Sequence, residues 1–256
     1  MIDLHCHLLP GIDDGPADER EALALAARIS ADGVRVAAAT PHLRPDHPGV
    51  VPGELTERTR VLQARLDEQG IPLQIVTAGE ADPIWAIEAS DEKLRSVSYG
   101  QRGTDLLVET PYEPLPTAFE ELLFRVSLRG YRVLLAHPER NPTFQADPER
   151  LAAVAARDVL LQVTAASLLR PRRSGTGRLA RQLVEAGTAH VLSSDVHHPT
   201  SRERASLAAG CAMVDELAGA GRAAWMTQGA PAAVLASEPL PPPPPVKRRG
   251  RRLFRR

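Results

Sequence analysis

The chain has 256 residues and a formal net charge of −1, but residues 247–256 carry seven basic side chains and no acidic one, so the rest holds 24 basic against 32 acidic groups. An acidic body excludes broad nucleic-acid binding, which needs a basic face; 43 % hydrophobic with only 4 % aromatic residues implies a core of Ala, Val and Leu. Two cysteines without a pairing motif (Cys6 and Cys211), no charged-then-apolar leader and no apolar run of membrane-spanning length predict a soluble, cytoplasmic protein.

The elements alternate along the chain. Short apolar runs, often β-branched, predict strands at 2–5, 34–39, 73–78, 106–109, 132–136, 159–163 and 190–193. Between them, apolar residues at helical spacing predict helices at 17–32, stopping before Gly33, at 54–69, ending at Gly70, and at 117–129, ending at Gly130. Asp147-Pro148 reads as an N-cap and first-turn proline for a helix over 149–156, and 177–186 ends at Gly187. Seven βα units in succession predict an α/β fold with a parallel sheet closed as a distorted (βα)7 TIM-like barrel. An open doubly wound sheet is the competitor, weakened because no Gly-rich phosphate loop follows the first strand. The barrel is assigned to 1–235, and 236–256 is read as an extended proline-rich linker with a solvated, disordered basic tail.

A barrel collects its chemistry at the C-terminal ends of its strands. His5 and His7 end the first strand, His42 follows the second, Glu80 the third, Glu109 ends the fourth, His137 follows the fifth, and Asp195 and His197 follow the seventh. Alternation along a strand points His5 and His7 to one side, so that they can grip one ion, and turns Cys6 away into packing. Histidine and carboxylate without thiolate suit Mn²⁺, Fe or Zn²⁺. Carboxylates between histidines suit bridging, and paired ions clamp a transferring phosphoryl group. His47, His190 and His198 are read as loop, strand-start and neighbouring residues rather than ligands.

The opening MIDLHCHLLPGIDDGP resembles that of the PHP-superfamily tyrosine-protein phosphatases that accompany bacterial capsule and exopolysaccharide operons. ATPH at 39–42, GE at 79–80, LLVETP at 106–111, LLAHPERN at 134–141 and SSDVH at 193–197 continue the resemblance over residues 1 to about 230. It implies a PHP-type barrel holding three metal ions, usually Mn²⁺. By position, His5, His7, Glu80 and Asp195 would hold one ion. Glu80 would bridge to a second ion, held also by Glu109 and His137, while Asp14, His42 and His197 would hold the third. Arg140 and Arg202 match phosphate-binding arginines of the family, and a guanidinium fork suits a phosphate dianion. The implied reaction is metal-assisted hydrolysis of phosphotyrosine on a cognate bacterial tyrosine kinase, linked to capsule or exopolysaccharide biosynthesis. The chain departs from the family pattern at Leu43, where a second histidine is usual, at Asp82, where a basic residue is usual, and at 170–177.

A thiol phosphatase is excluded, because the positions six residues after the cysteines are Ile12 and Leu217 rather than arginine. A lysine-bridged amidohydrolase is excluded too, since Lys93 and Lys247 end no strand. One alternative is a small-molecule phosphoesterase of the same superfamily, such as one cleaving histidinol phosphate, or a nuclease-like relative. The other is a non-catalytic metal-binding scaffold that works through its tail, since 242–247 fits a polyproline docking pattern. A plainer reading makes the tail a spacer whose basic end meets an anionic membrane surface or an acidic partner.

Overall fold

In the computed structural model, which describes residues 1–199 and 206–247, the apolar runs become nine strands whose pairings are all parallel. They are β1 Ile2–Cys6, β2 Val36–Ala39, β3 His42–Leu43, β4 Gln74–Thr77, β5 Glu80–Ala81, β6 Asp105–Glu109, β7 Arg132–Ala136, β8 Leu160–Thr164 and β9 Val191–Ser193. They form one sheet of order β1-β2-β4 and another of order β3-β5-β6-β7-β8-β9.

The second and third expected strands end close to where expected, but after a break each is followed by a further strand of two residues, and the sequence shows why. Pro41, which has no N–H to give a ladder, separates β2 from β3. Gly79 separates β4 from β5; a Cβ there would lie 2.7 Å from Leu43 Cδ1 and 3.1 Å from Val97 Cβ. Counted as pairs, the strands run through seven positions. The outer edges then meet where Cys6 bridges Val196. There the Asp195 N–H donates to the His5 carbonyl (2.8 Å) and the His7 N–H to the Val196 carbonyl (2.9 Å). Buried Asp3 reinforces this seam by accepting from the backbone N–H groups of Ser194 and His5. The expected parallel α/β architecture is therefore observed, with the two strand breaks as its distortion.

Strand alternation sorts the core into two clusters. Leu4, Ala38, Leu107, Leu134, Leu160 and Val191 form one, joined by Tyr99, whose hydroxyl donates to the Leu4 carbonyl at 2.8 Å. Neighbours in the same strands, such as Ala37, Val108, Leu135 and Val163, belong to the larger cluster that includes the helices. Both faces of β6, β8 and β9 are buried throughout, which is why those runs are buried along their whole length, whereas β4 exposes Gln74. The helices at Glu19–Ala31, Leu55–Glu68, Phe119–Leu128, Pro148–Ala155 and Gly175–Ala186 lie close to their expected positions. Short helices at Pro83–Glu88, Asp91–Val97 and Pro142–Ala146 are additional, opened by side-chain caps from Asp82, Ser90 and Asn141. Asp82, a departure from the family pattern, thus has a capping role.

The proline run is extended and docked on the barrel over its described part, although Pro239, Pro242, Pro243 and Pro245 remain exposed. The Trp225 indole N–H donates to the Pro241 carbonyl at 2.9 Å, and Arg222 donates to the Pro244 carbonyl at 3.3 Å. The Lys247 N–H donates to the Ala218 carbonyl at 2.7 Å, and Leu240 and Val246 pack against the core. Prolines give this strap a preset extended backbone and leave its carbonyls free to accept. Residues 237–247 thus lie on the barrel, where the sequence suggested a free linker; residues 248–256 lie outside the described residues.

Candidate metal centre

Strand ends bring the nine expected ligand residues together. Glu80, fully buried, is the hub: its Oε2 lies 2.9 Å from His42 Nδ1, 3.3 Å from His5 Nε2 and 3.6 Å from His7 Nε2, and its Oε1 lies 3.0 Å from His137 Nε2. Asp195 Oδ1 lies 3.2 Å from His5 Nε2 and 3.6 Å from His7 Nε2. On the other side, Asp14 Oδ1 is 3.3 Å from His197 Nε2 and 3.5 Å from His42 Nε2. Glu109 Oε2 reaches within 3.8 Å of His42 Nδ1. A register shift in the β1–β2 pairing falls between Asp3 and Cys6, beside His5. His137 and Asp195 have φ of 35° and 53°, left-handed values uncommon outside glycine, so the backbone bends to deliver both side chains.

The ring orientations make the case for cations. The His137 N–H donates to Gln162 Oε1 at 3.2 Å, which fixes that amide with its oxygen inward. The same oxygen lies 3.0 Å from His5 Nδ1, which must therefore carry its proton there. His7 Nδ1 likewise donates to the Asp13 carboxylate at 2.7 Å. Each neutral ring then has only a lone pair at Nε2, and those two nitrogens face one another at 3.4 Å. Two lone pairs at that distance, ringed by carboxylates, need a positive charge between them. Buried His137 Nδ1 also has no hydrogen bond among the described residues. The donor set fits divalent metal ions.

Three sets of side chains can each place ligand atoms within 4.8 Å of one another: His5, His7 and Glu80; His42, Glu80 and Glu109; and His7, Asp14, His42 and His197. The division differs from the one the resemblance implied, because His7 and His42, like Glu80, each belong to two sets and His137, 3.0 Å from Glu80, belongs to none of those found among the described residues. Without metal, protons take part of the role. Burial pulls the His5 pKa down, but the charges of Glu80 and Asp195 outweigh it and raise it to about 9. Glu109 is raised to about 8 by burial and by Glu80, against Arg44. Burial works against ionised Asp195, yet Arg140 and His5 hold it below the usual carboxylate range.

The guanidinium of Arg140 stands at the rim. Its Nη1 pairs with Asp195 and donates to Tyr112 Oη at 3.0 Å, and its Nη2 donates to Thr164 Oγ1 at 3.2 Å. Of five N–H groups, three are used; Nε–H and one Nη2–H have no partner among the described residues. Arg202 lies outside the described residues. The mouth is a cavity of about 380 Å³ whose lining includes Asp14, Tyr112, Arg140, Arg170, Asp195 and His197.

The sequence profile described as "Capsular polysaccharide synthesis, CpsB/CapC" matches residues 1–236. The chain belongs to the CpsB/CapC family. It is 30 % identical over 202 residues to the tyrosine-protein phosphatase YwqE of Bacillus subtilis, covering 79 % of each chain. It is 25 % identical over 212 residues to the tyrosine-protein phosphatase CpsB of Streptococcus pneumoniae, covering 79 % of this chain and 85 % of that one. A solved chain from the crystal structures of YwqE and CpsB, described as metal-dependent tyrosine phosphatases, matches with a TM-score of 0.83 at 29 % identity, over 97 % of this chain and all of that one.

Within this CpsB/CapC chain, several side chains that bear on the centre were not singled out from the sequence. Asp13 orients His7, Gln162 orients His5, Thr164 accepts from Arg140, and Arg44 donates to Glu109 at 2.8 Å. Asp13 stood beside Asp14 in a legible motif; the others are defined only by contacts distant in sequence. Cys6 faces away as expected, its thiol 3.1 Å from the Ala38 carbonyl. His190 accepts from the Leu161 N–H and His47 lies beside Arg44; His198 lines the mouth.

Proposed function

We propose that this protein is a metal-dependent protein-tyrosine phosphatase that hydrolyses phosphotyrosine on a bacterial tyrosine kinase in capsule or exopolysaccharide synthesis. The observation that carries this reading is the donor edge of Arg140, unused among the described residues, beside three convergent histidine–carboxylate sets, in a chain of the CpsB/CapC family. His5, His7, Asp14, His42, Glu80, Glu109, His137, Asp195 and His197 are assigned to hold up to three ions, with Mn²⁺ as the metal of choice for a hard, thiolate-free set. Bound metal supplies Lewis acidity, charge neutralisation at the phosphoryl oxygens and an acidified water.

The protein's own side chains do the rest. Gln162 and Asp13 hold the Nδ1 protons of His5 and His7 away from the centre and keep both Nε2 lone pairs aimed into it. Arg140 offers Nε–H and Nη2–H to two phosphate oxygens, and Asp195 and Thr164 fix the plane of that fork. Arg202 is assigned to the same anion by the resemblance. A tyrosine leaving group has a pKa of about 10, so it departs with little acid assistance from an open site.

The test is hydrolysis of a phosphotyrosine peptide with and without Mn²⁺, beside His137→Ala and Arg140→Ala. Metal-dependent turnover lost in both variants is the expected result. Bound metal with turnover only of small phosphomonoesters moves the assignment to a small-molecule phosphoesterase. No helix among the described residues is long and apolar enough to cross a membrane. We assign the protein to the cytoplasm and its basic end to an anionic membrane surface or an acidic partner. The strap makes the informative truncation residues 248–256, which should spare peptide turnover and weaken that association.

A further inference from the structure

Tyr112 is a half-exposed aromatic residue, at 51 % exposure, in the segment after β6. An aromatic side chain at a loop surface ordinarily samples several rotamers. This one is fixed at three points, all by the segment that follows β7. The buried Asn141 amide donates to the carbonyls on either side of it, Pro111 at 2.6 Å and Glu113 at 2.9 Å. Its ring stacks on His137, with centroids 5.7 Å apart and planes 23° apart. Its hydroxyl accepts from Arg140 Nη1. Tyr112 also borders both cavities at the mouth: the one that holds Arg140, and a second of about 500 Å³ lined by Arg44, Asp82 and Glu109.

We propose that Tyr112 is a specificity-determining residue: a fixed platform on which the aromatic ring of an aryl phosphate lies while Arg140 and the metal centre hold the phosphoryl group. The geometry supplies the pieces. The ring that contacts His137 on one side remains half open to the mouth. It stands one hydrogen bond from the guanidinium whose Nε–H and one Nη2–H have no partner among the described residues. An aryl phosphate places its ring a fixed distance from phosphorus, so a platform anchored to the phosphate-binding residue selects for that spacing. An alkyl phosphate such as phosphoserine has no ring to lay there. Because the platform is fixed beforehand, little side-chain entropy is lost when substrate arrives. The inference rests on the phosphatase reading and adds its selectivity.

The experiment separates platform, positioning and substrate class. Calorimetry on Mn²⁺-loaded protein gives the affinities for phenylphosphonate and methylphosphonate, which needs no turnover. In parallel, one peptide is tested as its phosphotyrosine and phosphoserine forms. Wild type should prefer the aryl member of each pair. Tyr112→Phe, which keeps the ring, should retain that preference. Tyr112→Ala should reduce the aryl-to-alkyl ratio roughly two- to tenfold, the range for one stacked ring pair, mainly through KM. Equal losses in Phe and Ala variants on both ligands would mean that Tyr112 acts only through its hydroxyl on Arg140, and would overturn the platform. So would an aryl preference unchanged in Tyr112→Ala or absent from wild type. A phenyl preference without peptide turnover would leave the platform standing and refute the protein substrate instead.

Discussion

Asp13 ties two strand ends together: its Oδ2 accepts from His7 Nδ1 at 2.7 Å and from the His42 backbone N–H at 3.2 Å, while its Oδ1 accepts from the Gly15 N–H at 3.0 Å. Burial opposes its charge, but the His7 proton and these backbone donors hold its pKa below the usual carboxylate range. It therefore stays an acceptor and sets the His7 ring. Asp13→Asn keeps the shape and removes the charge. Mn²⁺ affinity, measured by calorimetry, should fall about 10- to 100-fold. An unchanged affinity would show that Asp13 merely shapes the loop.

Metal loading should release protons. Metal-free His5 carries its second proton up to about pH 9 and Glu109 up to about pH 8. Both values are raised above those of the unfolded chain, so each proton stabilises the metal-free fold at low pH. The Glu109 contribution fades as pH rises from about 4.5 to 8, and the His5 contribution from about 6.5 to 9. Mn²⁺ must displace these protons. The increase in Tm on adding Mn²⁺ should thus grow from pH 6.5 to pH 9, and binding heats at pH 7 should depend on the buffer's ionisation enthalpy. Heats independent of buffer would contradict the assigned protonation.

Arg140→Lys retains a charge but loses the fork. Asp195, Tyr112 and Thr164 hold a planar group with two outward donors, a geometry that an ammonium cannot reproduce. Peptide kcat/KM should fall by about 10- to 100-fold, the loss of one charge-assisted hydrogen bond. Metal content, read by elemental analysis, should stay at the wild-type level. Loss of metal would recast Arg140 as a support for Asp195.

His190 is a stability element at the opposite end of the barrel. Burial, with the nearby Arg222 charge, lowers its pKa to about 4, so the fold keeps it neutral and its Nδ1 accepts the Leu161 N–H at 3.1 Å. The unfolded chain protonates it below about pH 6.5. Stability should therefore decline as pH falls from about 6.5 to 4, by up to roughly 3 kcal/mol. His190→Asn keeps an acceptor and should flatten that part of the profile in urea titrations. Wild type and variant with parallel profiles would refute the assignment.

The strands, and the strand ends that gather the candidate ligands, were legible because period-two alternation and barrel geometry act locally. His5, Cys6 and His7 alone announce two side chains inward and one packed away. Short helices opened by Asp82, Ser90 and Asn141 were not, since five to seven residues carry no periodic signal. Nor were Gln162 and Thr164, which read as an ordinary strand end; Gln162 acquires its role only when β8 is laid beside β7 and β1 is brought round to it. The strap was misread for a related reason. Composition described its stiffness correctly, but its adhesion depends on Trp225 and Arg222, which a proline count does not reveal.

That strap also fixes a direction. Its contacts fall at Thr104 and Arg132, which lead into β6 and β7, and at Gly187 and His190's neighbour Ala189 by way of Arg222, which lead into β9. All lie at the entry end of the strands, whereas every assigned ligand lies at the exit end. Lys247, the last of the described residues, therefore lies at the back of the barrel, its N–H on the Ala218 carbonyl. A surface gripped there would hold the enzyme like a lamp bolted by its base, with the catalytic mouth turned toward whatever approaches from the other side. Attachment and turnover would then proceed together rather than compete for one face.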